Sequence, residues 1–188
     1  MSLDSKFGLS DQDIFFEAYF NEPSESLIQH TGRQVLNGYI KSLFCRQLHQ
    51  DKYELLAAGG NDLSYEDCII ASSSPFVYAN VFSIREMGDE DSGKSLAHEW
   101  KHIEKINIAT KEETILVSKD SINMGGGENE LWVSQLLSLG DKEQSLICIS
   151  GSISSADTKK RDIEYNLCKL EFGSLAFSVI SRMLDPSF

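Results

Sequence analysis

The chain has 188 residues, 41% hydrophobic and 24% charged, which is the balance of one ordinary globular domain with a real core rather than of a disordered or fibrous chain. A formal net charge of −12 argues against a nucleic-acid-binding surface, because phosphate contacts need clustered Lys and Arg. No apolar run approaches the roughly 20 residues that span a bilayer, so neither nucleic acid nor membrane is an expected partner.

Met1 to Lys6 lacks the basic and apolar stretches of a secretory leader, and Met1-Ser2-Leu3 reads as a cloning remnant on a piece of a longer protein. Ser10 to Tyr19 carries Ile14, Phe15, Ala18 and Tyr19 at helical spacing, with Ser10 or Asp11 as caps. After Asn21-Glu22-Pro23, a second helix is expected from Ser24, its stripe formed by Leu27, Ile28, Thr31, Val35, Leu36 and Tyr39. Gly38 places its end nearby, since an interior glycine costs a helix about 1 kcal/mol relative to Ala. Lys41 to Leu48 and Tyr53 to Ala58 read as two strands around the polar turn His49 to Lys52, a hairpin. Asp67 to Ala71 and Phe76 to Ile84 are β-rich, and Gly88 to Gly93 is an acidic loop.

Lys94 to Asn107 returns to helical period, with Leu96, Trp100, Ile103 and Ile106 on one side. Thr114 to Ser118 is a short strand, and the loop that follows contains Gly125-Gly126-Gly127. Leu131 to Leu139 and Ser145 to Gly151 pair as strands across the turn Gly140 to Gln144. Asp157 to Leu184 is the longest helical pattern, with Ile163, Leu167, Leu170, Phe177 and Leu184 along one edge and Leu175, Val179, Ile180 and Met183 broadening it. Hairpins in a central antiparallel sheet, with N- and C-terminal helices packed on one face, make an α+β fold the expected class. Cys45, Cys68, Cys148 and Cys168 are widely spaced, without a C-x-x-C pair. They read as reduced, buried thiols of a cytoplasmic protein rather than as zinc ligands.

From Ile103 onward a helix leads through Thr110-Lys111-Glu112-Glu113 into the strand Thr114 to Ser118 and then Asp120, followed by the paired strands and the closing helix. This order resembles the GAF domain, a small-molecule sensor fold of bacterial signalling proteins and phosphodiesterases, over about Glu25 to Leu184; the PAS shape is closely related. The resemblance implies a helical extension at residues 1–23 and a sensory domain at 24–188. It also implies a pocket between the sheet and the middle helices and loops, with Phe76, Tyr78, Trp100, Asp120 and Trp132 as candidate ligand-binding residues. For the aromatic residues, simple core packing stays open as the alternative. The Asn-Lys-x-x-Phe-Asp-Glu signature of cyclic-nucleotide GAF domains and the Cys-His pair that anchors a bilin are both missing, so no ligand is named and no cofactor is expected. The role implied is a non-catalytic sensory or regulatory domain in bacterial signal transduction that binds a small molecule or mediates dimerisation. A homodimer would form through the terminal helices, with Ile14 and Phe15 contributing. Asp185-Pro186, just after the last helix, resembles the point where a diguanylate cyclase output domain commonly begins.

One sharper motif stands apart. His98-Glu99-Trp100-Lys101-His102 matches H-E-x-x-H. On a helix, His98 and His102 would share one face and hold zinc, with Glu128 or Glu130 as third ligand. Glu99 would then take the proton of the zinc-bound water in peptide hydrolysis. Against this zinc metallopeptidase reading, Lys101 puts a charge between the ligands and Glu104-Lys105 makes the helix partly exposed. The alternative is a surface helix anchored by Trp100 and Ile103 with solvated histidines. Gly125-Gly126-Gly127 is followed by no Lys-Ser or Lys-Thr pair and is no phosphate loop. Ser72 to Ser74 lacks a G-x-S-x-G context.

Overall fold

The β-rich character read in the middle of the chain extends through nearly all of its described residues. The computed structural model describes residues 8–9, 13–19, 41–47, 53–60, 62–70, 74–87, 95–122, 130–154 and 162–183. Strands β1 (Gly8–Leu9), β2 (Asp13–Tyr19), β3 (Lys41–Gln47) and β4 (Tyr53–Ala57) form a first antiparallel sheet. Strands β5 (Leu63–Ile70), β6 (Phe76–Met87), β7 (Ser95–Asn107) and β8 (Glu113–Ser118) form a second. Strands β9 (Glu130–Leu139), β10 (Ser145–Ser154), β11 (Asp162–Glu171) and β12 (Ala176–Met183) form a third. In each sheet the strands lie side by side in chain order, each antiparallel to its neighbours.

The expected α+β class, with helices packed on one face, is therefore overturned. Among the described residues there is no α-helix, and none is long and apolar enough to cross a membrane. The stretch Ser10 to Tyr19 contains β2, which pairs with β3 in register Phe15↔Cys45, so its described part is a strand of the first sheet rather than a helix. Lys94 to Asn107 contains β7. Asp157 to Leu184 contains the hairpin β11–β12, and a dimer through terminal helices goes with it. The helix expected from Ser24 to Tyr39 lies outside the described residues. The terminal helices on which the GAF resemblance leaned are thus strands wherever the chain is described.

The misreading has a physical cause, the β-bulge. On β7, Phe82 faces Trp100 while Val81 faces His102, which leaves Lys101 as an extra residue. A bulge shifts the two-residue alternation of faces by one. Trp100 and Ile103, three apart, consequently enter one core, while Ile106, three further on, enters the other. A spacing of three imitates a helical period. On β12 the same happens at Ile180, since Leu167 faces Ser181 and Cys168 faces Val179. The intended long helix also contains a reversal at Phe172–Gly173–Ser174–Leu175, where Leu175 takes a left-handed φ of 53°.

The core residues fall into two groups, one on each face of the second sheet. Val77, Ala79 and Val81 of β6 pack with Tyr65, Cys68 and Ile106 against Leu43, Cys45, Leu56 and Ala57 of the first sheet. The opposite face of the second sheet presents Ile69, Phe82, Trp100, Ile103 and Val117 to Val133, Leu136, Leu146, Cys148, Cys168 and Leu170 of the third. A sheet covered on both faces loses the polar half of its alternation. That is why Phe76 to Ile84 reads as one nearly continuous apolar run.

Candidate ligand-binding clefts

Within that apolar run Asn80 is the odd residue, and it organises the contact between the second and third sheets. A fully buried amide must find partners. Asn80 Nδ2 donates to the Val133 carbonyl at 3.1 Å, and the Trp100 indole Nε1–H donates to Asn80 Oδ1 at 2.8 Å. Its cross-strand partner Asp67 is buried too and accepts the Leu136 backbone N–H. Tyr78, Asn80 and Phe82 alternate along the same face of β6, with the pinned Asn80 between the other two. A cleft opens at each end.

The first cleft, about 650 Å³, is lined by Tyr78, Lys105 and Leu116, by Glu171 at the end of β11, and by residues of the β9–β10 and β11–β12 turns: Glu143, Gln144, Phe172, Gly173 and Ser174. Tyr78 stacks parallel to Phe172, with ring centroids 5.9 Å apart, and its hydroxyl donates to Glu143 Oε2 at 2.6 Å. Burial, reinforced by the Glu143 carboxylate, pushes the phenol well above its ordinary pKa and keeps it protonated. Lys105 Nζ sits 3.7 Å above the Phe76 ring and 6.0 Å from that of Tyr78, a cation–π arrangement.

The second cleft, about 340 Å³, is lined by Phe82, His98, Glu99, Trp100, Lys119, Leu131, Trp132 and Ile153. Trp132 is half-buried and stands opposite Gly151 on β10. Its indole lies so close over Gly151 that a Cβ there would collide with the ring. The ring of Tyr165 meets Trp132 edge-on at 6.2 Å and 86°. At the rim, Glu99 is held by Lys101 at 2.8 Å and Lys119 at 3.0 Å. These hydrogen bonds lower its carboxyl pKa to about 2.

The five expected ligand-binding residues are thus divided. Tyr78 lines the first cleft, with Phe76 beneath its lysine; Trp100 and Trp132 line the second; Asp120 is exposed in the short 3-10 turn Lys119–Ser121 and lines neither. His98 and His102 lie on a strand, not a helix. Four strand residues span about 13 Å, and the Lys101 bulge puts the two side chains on opposite faces, His98 opposite Ile84 and His102 opposite Val81. His98 is exposed, whereas His102 is buried and its Nε2 lies 2.8 Å from Glu104 Oε1. The geometry that one shared zinc ion requires is absent. Among the described residues, no three His, Cys, Asp or Glu side chains gather as metal ligands. Sequence reasoning missed Lys105, Glu143 and Phe172, which only the turns bring together. It also passed over Asn80 and Asp67, although a lone amide in an apolar run was a legible sign. Compared with known protein families and with curated proteins, the chain matches no family model and none of the curated sequences.

Proposed function

We propose that this chain is a non-catalytic binding domain with a sensory or regulatory role, and that it takes a small planar molecule into the two-tryptophan cleft. The observation that carries the proposal is Trp132. Its ring is fixed on the Gly151 backbone and braced by Tyr165, yet remains partly exposed in a cleft that Phe82 and Trp100 also line. A preorganised aromatic face gives a planar ligand area to stack on at little entropic cost, and the volume lies within the usual small-molecule range of about 300–1,000 Å³. The non-catalytic part rests on how the reactive groups are committed. Burial and the neighbouring Cys168 push the Cys148 thiol up to about 12, His102 is buried against Glu104, and the Tyr78 hydroxyl is tied to Glu143.

The test is intrinsic fluorescence. The chain contains two tryptophans, and both line this cleft, so emission reports on it alone. Titration with purines and indole carboxylates is expected to give saturable quenching that Trp132→Ala abolishes. Emission that no ring compound changes, or quenching that survives Trp132→Ala, would overturn the reading.

A further inference from the structure

We propose that the Tyr78 cleft is a second, separate ligand site, one that binds a free α-amino acid with an aromatic or apolar side chain. The inference begins with Lys105. Its ammonium lines the cleft, and its recorded contacts are with the rings of Phe76 and Tyr78; among the described residues, no carboxylate pairs with it. Two glutamates line the same cleft, but each already has a partner. Glu143 accepts from the Tyr78 hydroxyl at 2.6 Å, and Glu171 is paired with Lys169 at 2.6 Å. In a chain with 29 acidic and 17 basic residues, a lysine without a carboxylate beside two carboxylates is unusual. A ligand carboxylate supplies what Lys105 lacks, and a carboxylate already engaged still has lone pairs for a ligand ammonium.

The backbone adds an independent observation. Lys142 and Glu143, consecutive in the β9–β10 turn, take left-handed φ values of 57° and 54°, and Leu175 in the β11–β12 turn takes 53°. Each is a conformation that non-glycine residues adopt only at a steric cost. Such strain is concentrated where side chains must be aimed, and here two strained turns converge on one cleft and put Glu143 over Tyr78. Of the remaining lining, Leu116 and Phe172 supply apolar surface, and Gln144, Gly173 and Ser174 complete it. Positive charge from Lys105, negative charge from Glu143 and Glu171, and an apolar wall together complement a zwitterion with an apolar side chain. A plain anion would meet both glutamates, and a plain cation would leave Lys105 unmatched.

The experiment uses calorimetry on the intact chain with three probes: L-phenylalanine, 3-phenylpropionate, which lacks the ammonium, and 2-phenylethylamine, which lacks the carboxylate. Phenylalanine is expected to bind roughly tenfold or more tightly than either half, the range for one charged hydrogen bond. Lys105→Met, which removes the charge and keeps an unbranched apolar side chain, should bring phenylalanine down to the affinity of the amine. Glu143→Gln, with Glu171→Gln as a second variant, should bring it toward that of the acid. Unchanged circular dichroism and tryptophan emission identify the variants as folded. Emission also separates this proposal from the two-tryptophan cleft, since phenylalanine bound here leaves both indoles untouched. Equal affinity for phenylalanine and 3-phenylpropionate, no heat up to about 10 mM, where affinity falls below roughly 3 kcal/mol, or a folded Lys105→Met that binds all three probes like the parent would overturn the proposal.

Discussion

Replacing Asn80 with alanine tests the account of how the second and third sheets are held in register. The substitution removes one acceptor and one donor at a position with no solvent exposure, leaving the Trp100 indole N–H and the Val133 carbonyl without their partner. Trp100 and Val133 are buried as well, so water cannot readily take over. Each buried group left unsatisfied costs about 1–3 kcal/mol. The carbonyl retains its second lone pair, so the lower end applies to it, and the sum is about 3 kcal/mol. Against a typical total stability of about 5–15 kcal/mol, that is a severe loss. Urea denaturation followed by tryptophan emission measures it, as a fall in midpoint with an unchanged slope. A double-mutant cycle with Trp100→Phe isolates the indole–amide bond, with an expected coupling of about 1 kcal/mol or more. Asn80→Ala that costs less than about 1 kcal/mol, or a cycle with no coupling, would refute the claim that these bonds pin the interface.

Gly151→Ala should displace the Trp132 ring, because the new methyl has no room beneath the indole; overpacking of this kind costs about 1–3 kcal/mol, and a shifted emission spectrum with weaker cleft binding would register it. Glu99→Gln removes the rim ion pairs with Lys101 and Lys119. The Glu99 pKa is depressed in the folded chain, so its contribution is present above the ordinary glutamate value near 4.3 and fades as pH falls toward about 2. Because the side chain is 42% exposed, the effect is small; the stability gap between parent and variant should be constant above about pH 5 and narrow progressively below that as pH falls toward about 2. Cys45, Cys68, Cys148 and Cys168 are all buried, so a thiol-reactive probe should label the native chain no faster than it unfolds; rapid labelling of Cys148 in the absence of denaturant would contradict its burial.

Much of the strand content was legible, and the sheets in which it sits were not. The hairpin β3–β4, the strand β8 and the pair β9–β10 stood out because their apolar residues alternate or run between clear polar turns. The failures share one mechanism. Lys101 on β7 and Ile180 on β12 are extra residues in their ladders, and each converts a spacing of two into three. A periodicity argument scores that as a helix, because nothing local distinguishes a bulged strand from one turn of an amphipathic helix. Gly173-Ser174, between the apolar halves of β11 and β12, was the available punctuation, and the long apolar pattern outweighed it. For the candidate sites, aromatic content pointed to the right side chains but not to their grouping. Tyr78 and Trp100 lie on neighbouring strands and face the same sheet, yet they line different clefts, because Asn80 stands between them.

That division has a cause in the third sheet. Its edge strand β9 bears two extra residues: Leu137, between the pairings Leu136↔Cys148 and Ser138↔Ile147, and Ser134, between Val133↔Ser150 and Gln135↔Ile149. In a regular strand Val133 and Leu136 would point to opposite faces. The bulge at Ser134 turns both inward, and both are buried. An edge strand also presents unpaired N–H and C=O groups on its outer side, and burying these against another sheet is unfavourable unless they are met. Asp67 and Asn80, facing each other across β5 and β6, meet them, one accepting from Leu136 N and the other donating to Val133 O. The burial of these two polar side chains is therefore explained by the bulged edge they cap. Because they are fixed in the middle of the contact between sheets, space remains only beyond them, at Tyr78 on one side and at Phe82 on the other.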